Sequence, residues 1–261
     1  MKYGFIGLGN MASAIIGGMI GGGTAGCDIL GFNRTPAKTG ALVEKYGIVG
    51  CGSADEVVEK ADIIILAVKP QMLPDVMDAA AKCGGKPVLS IAAGKTLSWY
   101  MERLPEGTPV VRIMPNIAAR VGESLSAICG NEFADEAVIA EAKKIFACVG
   151  KVYIIEERLF PAFSSICGAS GAFIYLYIDA LAEAGVRAGF ARSMAEEMAA
   201  GAVLGAAKLA QESGEHPIVL MNKVCSPGGT TVEGVMKLKE LGFETAVQQA
   251  TQAVIDKDKL L

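Results

Sequence analysis

Two short stretches of the chain hold the residue types that could do chemistry. In the first, Ser226-Pro227-Gly228-Gly229-Thr230-Thr231, paired glycines meet paired hydroxyls. Ser226 suits a helix N-cap and Pro227 the first helical position, and a helical period runs on to Leu238. Each glycine costs a helix interior roughly 0.8 to 1 kcal/mol against alanine, so two together imply that something must touch the backbone. A helix start free of large side chains offers unpaired N–H groups and the positive end of the dipole to a small anion such as a carboxylate. Thr230 and Thr231 would stand at its mouth with hydroxyls to donate. A plain capped helix is the alternative reading of the same residues.

The second stretch, Gly7-Leu8-Gly9-Asn10-Met11-Ala12, follows an apolar strand over residues 3–6 and leads into a helix that ends among Gly21, Gly22 and Gly23. This is the G-x-G-x-x-A form of the dinucleotide fingerprint, in the strand-turn-helix setting it requires. Gly7 permits the tight turn, Gly9 lets backbone reach a pyrophosphate at the helix start with Asn10 and Met11, and Ala12 lets the helix lie close to the strand. A second strand is expected over 28–32. At its end an NAD-binding chain would carry Asp or Glu for the ribose hydroxyls, but Asn33, Arg34 and Thr35 stand there. A guanidinium pairs with a 2′-phosphate that a carboxylate would repel, so NADPH/NADP is favoured, with NADH the weaker alternative.

The elements that must position these residues follow from periodicity. A helix over 36–46, a short strand at 48–49 and a helix opened by a Ser53-x-x-Glu56 capping box come next. The apolar run 62–68 predicts a strand buried on both faces of a parallel sheet. Ligands of such sheets lie beyond the carboxyl ends of the strands. That singles out Ala67, Val68, Lys69 and Pro70, then Ala92, Ala93 and Gly94 after a strand at 88–91, then Asn116 after one at 110–113. Together these outline a nicotinamide pocket. A strand at 124–129, a helix over 135–148 and a strand at 151–155 complete an α/β, Rossmann-type, doubly wound and mostly parallel sheet over residues 1–157.

From Leu159 onward only helices are predicted, over 159–184, 192–212, 216–224, 229–241 and 244–256. They form an all-α domain over 158–261. Its long first helix is crowded with small residues at Gly168 to Ala172. A largely uncharged, Ala- and Gly-rich helical domain would expose much apolar surface alone, so a homodimer through it is expected.

Of the 261 residues, 52% are apolar and 20% charged, which places the chain among globular proteins. With a net charge of −4 and no basic run longer than a pair, nucleic acid is excluded as a partner. Seven scattered cysteines, no C-x-x-C and one histidine, His216, fit reduced thiols in the cytoplasm and no metal site. The uncharged segment 3–27 is too rich in glycine for a membrane span or a signal peptide, so no membrane is expected.

Cys225 to Thr231, continued by Val232, Glu233 and Gly234, resembles the signature of the pyrroline-5-carboxylate reductase family. The N-terminal G-x-G-x-x-A, residues 67–70 and 92–94, and His216-Pro217 match as well, so the resemblance spans nearly the whole chain. It implies an NADPH-binding Rossmann domain and an interlocked helical dimerisation domain, forming a homodimer or a larger assembly. The implied reaction is hydride transfer from C4 of NADPH to the C5 imine carbon of 1-pyrroline-5-carboxylate, giving L-proline. The implied substrate site lies between the nicotinamide and the 226–231 loop, close to the subunit interface. Backbone N–H groups at Gly229 and Thr230 would hold the carboxylate within the loop that Ser226 and Gly228 help form. Thr231, the catalytic residue, would hydrogen-bond near the ring nitrogen. Glu157 and Lys223 are further substrate-binding candidates, Lys223 standing where other members often have Asn. No general acid is assigned, Thr231 or a water being left as the relay. The chain also lacks the proline of the Ser-Gly-x-x-Pro-Ala pattern with which the family's long helix usually opens.

Two rival readings are open. A related imine reductase or β-hydroxyacid dehydrogenase shares this layout, although such dehydrogenases carry a lysine early in the long helix and none occurs between Leu159 and Arg187. An NADP-binding regulatory protein without turnover is the other.

Overall fold

Tyr3–Ile6 forms β1, the first strand of the sheet in the computed structural model, which describes residues 1–259. In chain order there follow α1 (Asn10–Gly21), β2 (Ile29–Phe32), α2 (Pro36–Tyr46), β3 (Val49–Gly50), α3 (Ala54–Lys60), β4 (Ile63–Leu66) and α4 (Pro74–Ala80). Next come β5 (Val88–Ser90), α5 (Leu97–Met101), β6 (Val110–Met114), β7 (Ser124–Gly130), α6 (Glu136–Ala147) and β8 (Gly150–Ile154). The strand order is β3-β2-β1-β4-β5-β6-β7-β8, with Tyr3 in register with both Ile29 and Ile63. All pairings are parallel except β6 with β7.

Alternation along the strands fills both faces. Phe5, Ile63 and Ile65 meet Ile15, Ile16 and Met19 of α1 and Phe146 of α6 on one side. Ile6, Ile64 and Leu66 meet Val57 of α3, Met77 of α4 and Tyr100 of α5 on the other. Burying each of the large side chains contributes about 1.5–3 kcal/mol. That is why residues 63–66 read as a continuous apolar run.

The strand from 62 to 68 is shorter than expected, since after Leu66 the Ala67 N–H bonds the Ile6 carbonyl at 2.8 Å and the chain turns out of the sheet. Helices α4 and α5 were not read from the sequence; both are short. At the capping box, Ser53 Oγ accepts from the Glu56 N–H at 3.1 Å, but the Glu56 carboxylate reaches back to the Gly52 N–H at 2.7 Å instead of that of Ser53.

The chain divides into two compact units, residues 1–168 with 257–259, and Ala169–Asp256. The expected unbroken helix over 159–184 is instead α7 (Phe160–Phe163), a π-helical turn (Ser164–Ala169) and α8 (Ser170–Arg187). The Asn116 amide donates to the Cys167 carbonyl inside that turn at 2.8 Å, an insertion of the kind that widens a helical ladder. Phe160 and Phe163 pack with Ala127 and Cys129, so the first turns belong to the α/β unit.

The second unit comprises α8, α9 (Arg192–Ser213), α10 (Pro217–Val224), α11 (Thr230–Glu240) and most of α12 (Phe243–Asp258). Gly185 lets α8 and α9 approach closely, because a Cβ there would lie 3.1 Å from that of Ala195. Among the described residues its buried hydrophobics are Ala182, Ala195 and Ala199, while Leu176, Leu204 and Leu241 are each about 70% exposed. Three alanines do not make a core. The 31-residue stretch Glu157–Arg187 has the length and hydropathy to cross a bilayer, but large apolar faces without a core equally mark a subunit interface.

Candidate active site

Strand order reverses at β1, with β2 on one side and β4 on the other, and such a switch point opens a crevice at the strand ends. Gly7 stands there at φ +99°, its N–H bonded to the Phe32 carbonyl at 2.8 Å. A Cβ on Gly7 would lie 2.7 Å from the Ala67 carbonyl oxygen. Gly9 differs: among the described residues nothing lies within 4 Å of where its Cβ would be. It is the N-cap of α1 and no described side chain caps that helix, leaving the first-turn N–H groups of Asn10, Met11 and Ala12 for a ligand. An open, uncapped helix start beside a glycine fits a pyrophosphate. Ala12 is fully buried, as close packing of helix on strand demands.

A cleft of about 430 Å³ extends from these glycines, walled by Ala67, Val68 and Lys69 and by Arg34, Thr35 and Lys38 from the segment after β2. Pro70 opens a 3₁₀ turn, Pro70–Met72, that follows this wall. Asn33 also lines the cleft, yet its Oδ1 accepts from the Leu8 N–H at 3.1 Å, so it braces the glycine loop. Thr35, the N-cap of α2, makes no side-chain cap bond. Lys38 was missed from sequence; a basic residue in the first turn after β2 was the available signal.

Beyond β5 and β6 the residues are more internally committed than expected. Ala92 is buried, its N–H 3.3 Å from Ser90 Oγ, which pairs with Tyr100 Oη at 2.6 Å, and Gly94 turns the chain at φ +74°. Ala93 between them is exposed. The Asn116 side chain accepts from the Leu125 N–H at 3.3 Å and donates to the Cys167 carbonyl, so it ties the end of β6 to β7 and the π turn.

Glu157, expected on the substrate side, accepts with one oxygen from the Leu97 N–H (2.7 Å) and from Arg112 Nη1 (3.0 Å). Arg112 is buried, and its guanidinium lies 4.4 Å from the centre of the Phe160 ring. A buried cation requires such a partner, which occupies Glu157. Burial pushes the thiol of Cys129, opposite Arg112 in β7, up to about 12, with the Glu157 charge adding to the shift. Arg112 was missed, although a lone charge within Val110-Val111-Arg112-Ile113 signals a buried pair. Lys223 is likewise occupied, its ammonium 2.7 and 2.6 Å from the two oxygens of Glu215. His216 Nδ1 caps α10 by accepting from the Ile218 N–H at 3.2 Å.

In the 226–231 segment the helix is not capped by Ser226. The Gly229 N–H bonds the Ser226 carbonyl at 3.0 Å, with Pro227 and Gly228 at the corner and Gly228 at φ +65°. Proline followed by a glycine at positive φ is the signature of a tight turn. Ser226 is therefore the first residue of that turn, and α11 begins at Thr230 with Gly229 as its N-cap. Where α3, α5 and α6 are capped by Ser53, Thr96 and Asp135, no described side chain caps α11. Thr230 and Thr231 are exposed beside the open N–H groups.

The fold and the cleft define a Rossmann-type dinucleotide-binding protein with an appended helical unit. Comparison with known proteins makes the assignment narrower. A family model described as pyrroline-5-carboxylate reductase dimerisation matches residues 157–261, and one described as NADP oxidoreductase, coenzyme F420-dependent, matches 2–94. A pyrroline-5-carboxylate reductase of Escherichia coli (strain K12) is 38% identical over 263 aligned residues, covering 100% of this chain and 98% of that protein. The solved structure of one from Coxiella burnetii superposes with a TM-score of 0.93 at 29% identity, over 99% of this chain and 97% of that one. One from Plasmodium falciparum, solved with NADP bound, gives 0.89 at 26% identity, over 100% and 97%. The chain belongs to the pyrroline-5-carboxylate reductase family.

Proposed function

We propose that this chain reduces 1-pyrroline-5-carboxylate to L-proline with NADPH, as a homodimer joined through the helical domain at 158–261. The observation that carries the reading is its family membership over the full length of both domains, which also sets it apart from a regulatory protein or a dehydrogenase of similar layout. When bound, NADPH supplies the hydride that the C5 imine carbon accepts.

The chain's own residues bind and orient. Gly7, Gly9 and the first turn of α1 receive the pyrophosphate, Arg34 with Thr35 and Lys38 receives the ribose phosphate, and 67–69 and 92–94 wall the nicotinamide. Backbone N–H groups at the start of α11, Gly229 and Thr230 first, hold the substrate carboxylate, favoured there by the helix dipole. The Thr231 hydroxyl bonds near the ring nitrogen, where it or a water relays the proton. Reduced thiols at all seven cysteines suit the cytoplasm.

The test is oxidation of NADPH by the purified protein, followed by absorbance, with and without 1-pyrroline-5-carboxylate and with proline identified as product. Turnover to proline is expected. Demonstrated NADPH binding with no turnover of this imine would refute the assignment.

A further inference from the structure

The cleft wall opposite Arg34 carries an acid. Arg34 Nη1 stands 3.5 Å from Asp75 Oδ2, and both residues line the cleft that holds Gly7, Gly9 and Lys38. Arg34 is also placed by Met72, whose sulfur lies 3.8 Å from Nη2. Asp75 sits in the first turn of α4, where a carboxylate is at home near the helix N-terminus. It comes from a different element than the segment after β2, so inspection of residues 33–35 does not reveal it.

We propose that Asp75 is a specificity-determining residue that limits how strongly the chain prefers the phosphorylated dinucleotide over the unphosphorylated one. The inference rests on the reading that a 2′-phosphate binds beside Arg34. A phosphate oxygen bonded to Arg34 Nη1 at about 2.8 Å would lie no more than about 6 Å from Asp75 Oδ2. The carboxylate then acts twice: it competes for Arg34, and it repels the dianion. The unphosphorylated cofactor has no charge at that position and feels neither effect. Both side chains are more than half exposed, which keeps the interaction in high dielectric and within reach of salt. Neutralising Asp75 is accordingly expected to tighten NADPH binding by roughly three- to tenfold at low ionic strength, with NADH changed less than about twofold.

The experiment measures dissociation constants of NADPH and NADH, and of the fragments 2′,5′-ADP and 5′-AMP, by calorimetry on the full chain at constant pH. Wild type, Asp75→Asn, Asp75→Ser and Arg34→Ala are compared at low and high salt. Asp75→Asn and Asp75→Ser should both raise the affinity for the two phosphorylated ligands alone, and the gain should shrink with salt. Arg34→Ala should weaken those same ligands. If Arg34→Ala lowers the discrimination while both Asp75 variants leave it unchanged or reduce it, the proposal fails and the phosphate placement stands. If Arg34→Ala leaves the discrimination intact, the placement itself fails and the proposal with it.

Discussion

Replacing Gly7 and Gly9 by alanine, one at a time, should separate folding from cofactor binding within a single loop. Gly7 has φ +99°, and an alanine Cβ there would lie 2.7 Å from the Ala67 carbonyl oxygen and 2.8 Å from Val68 Cγ1. The positive φ alone costs an alanine about 1–2 kcal/mol. The clash adds to this because its nearest partner is backbone of β4's exit and cannot rotate away, so the total is roughly 2–4 kcal/mol. For a chain of this size that is a fall in unfolding temperature of about 5–15 °C. At Gly9 the backbone has φ −82°, open to any residue, and nothing described lies within 4 Å of the new methyl. The poorer N-cap and the stiffer unfolded chain nearly cancel, leaving stability within about 1 kcal/mol. The methyl would nonetheless stand in the open space that the proposed reading gives to the pyrophosphate. Loss of one charge-assisted bond, worth about 1.5–3 kcal/mol, weakens NADPH roughly 10- to 100-fold. Thermal unfolding without cofactor and fluorescence titration with NADPH read the two quantities. An alanine at position 7 with wild-type unfolding temperature, or one at position 9 with undiminished NADPH affinity, would refute the reasoning.

Thr231→Ala should lower kcat about a hundredfold, as loss of a positioned donor does, and Thr231→Ser should recover most of it; steady-state kinetics with wild-type values for the alanine variant would exclude the role. Glu157→Gln should cost about 1–3 kcal/mol in urea unfolding, because it leaves buried Arg112 without a counter-charge, while KM for the imine stays within about twofold. A large KM rise with unchanged stability would instead assign Glu157 to the substrate. Lys223→Ala, which among the described residues frees Glu215, should likewise leave KM nearly unchanged. The raised Cys129 thiol predicts alkaline sensitivity. Well below pH 9 it is neutral both folded and unfolded, whereas as the pH passes 9 toward about 12 the unfolded chain releases its proton first, so stability falls with rising pH. Cys129→Ala should flatten that fall in urea midpoints measured from pH 8 to 10.5, and an unaltered slope would assign the fall elsewhere.

Much of the architecture could be read in the chain because it rests on local rules. Residues 3–12 carry strand, turn and helix start within ten positions, and helix 36–46 follows from Pro36 and periodicity alone. The continuous run at 63–66 announces a strand covered on both faces. The second domain's helices and its need of a partner follow from small, uncharged residues that cannot bury themselves. Less legible was how individual polar side chains are engaged: the partners of Glu157, Lys223 and Asn116, namely Arg112, Glu215 and Cys167, are set by contacts that residue type alone does not announce. Helix α11 lies close to the expected 229–241, but its N-cap is Gly229 and not Ser226, because a Pro-Gly turn and a Pro-started helix share the same opening residues.

The sequence by itself determined the two-domain plan, the dinucleotide loop and the glycine-threonine segment, since each is a property of neighbours along the chain. Tertiary structure alone decided which charges remain free for ligands, and it brought Asp75 of α4 against Arg34. The reason is physical: a carboxylate or ammonium acts through whatever lies within a few ångströms of it, and in a doubly wound sheet those neighbours come from elements far apart in sequence.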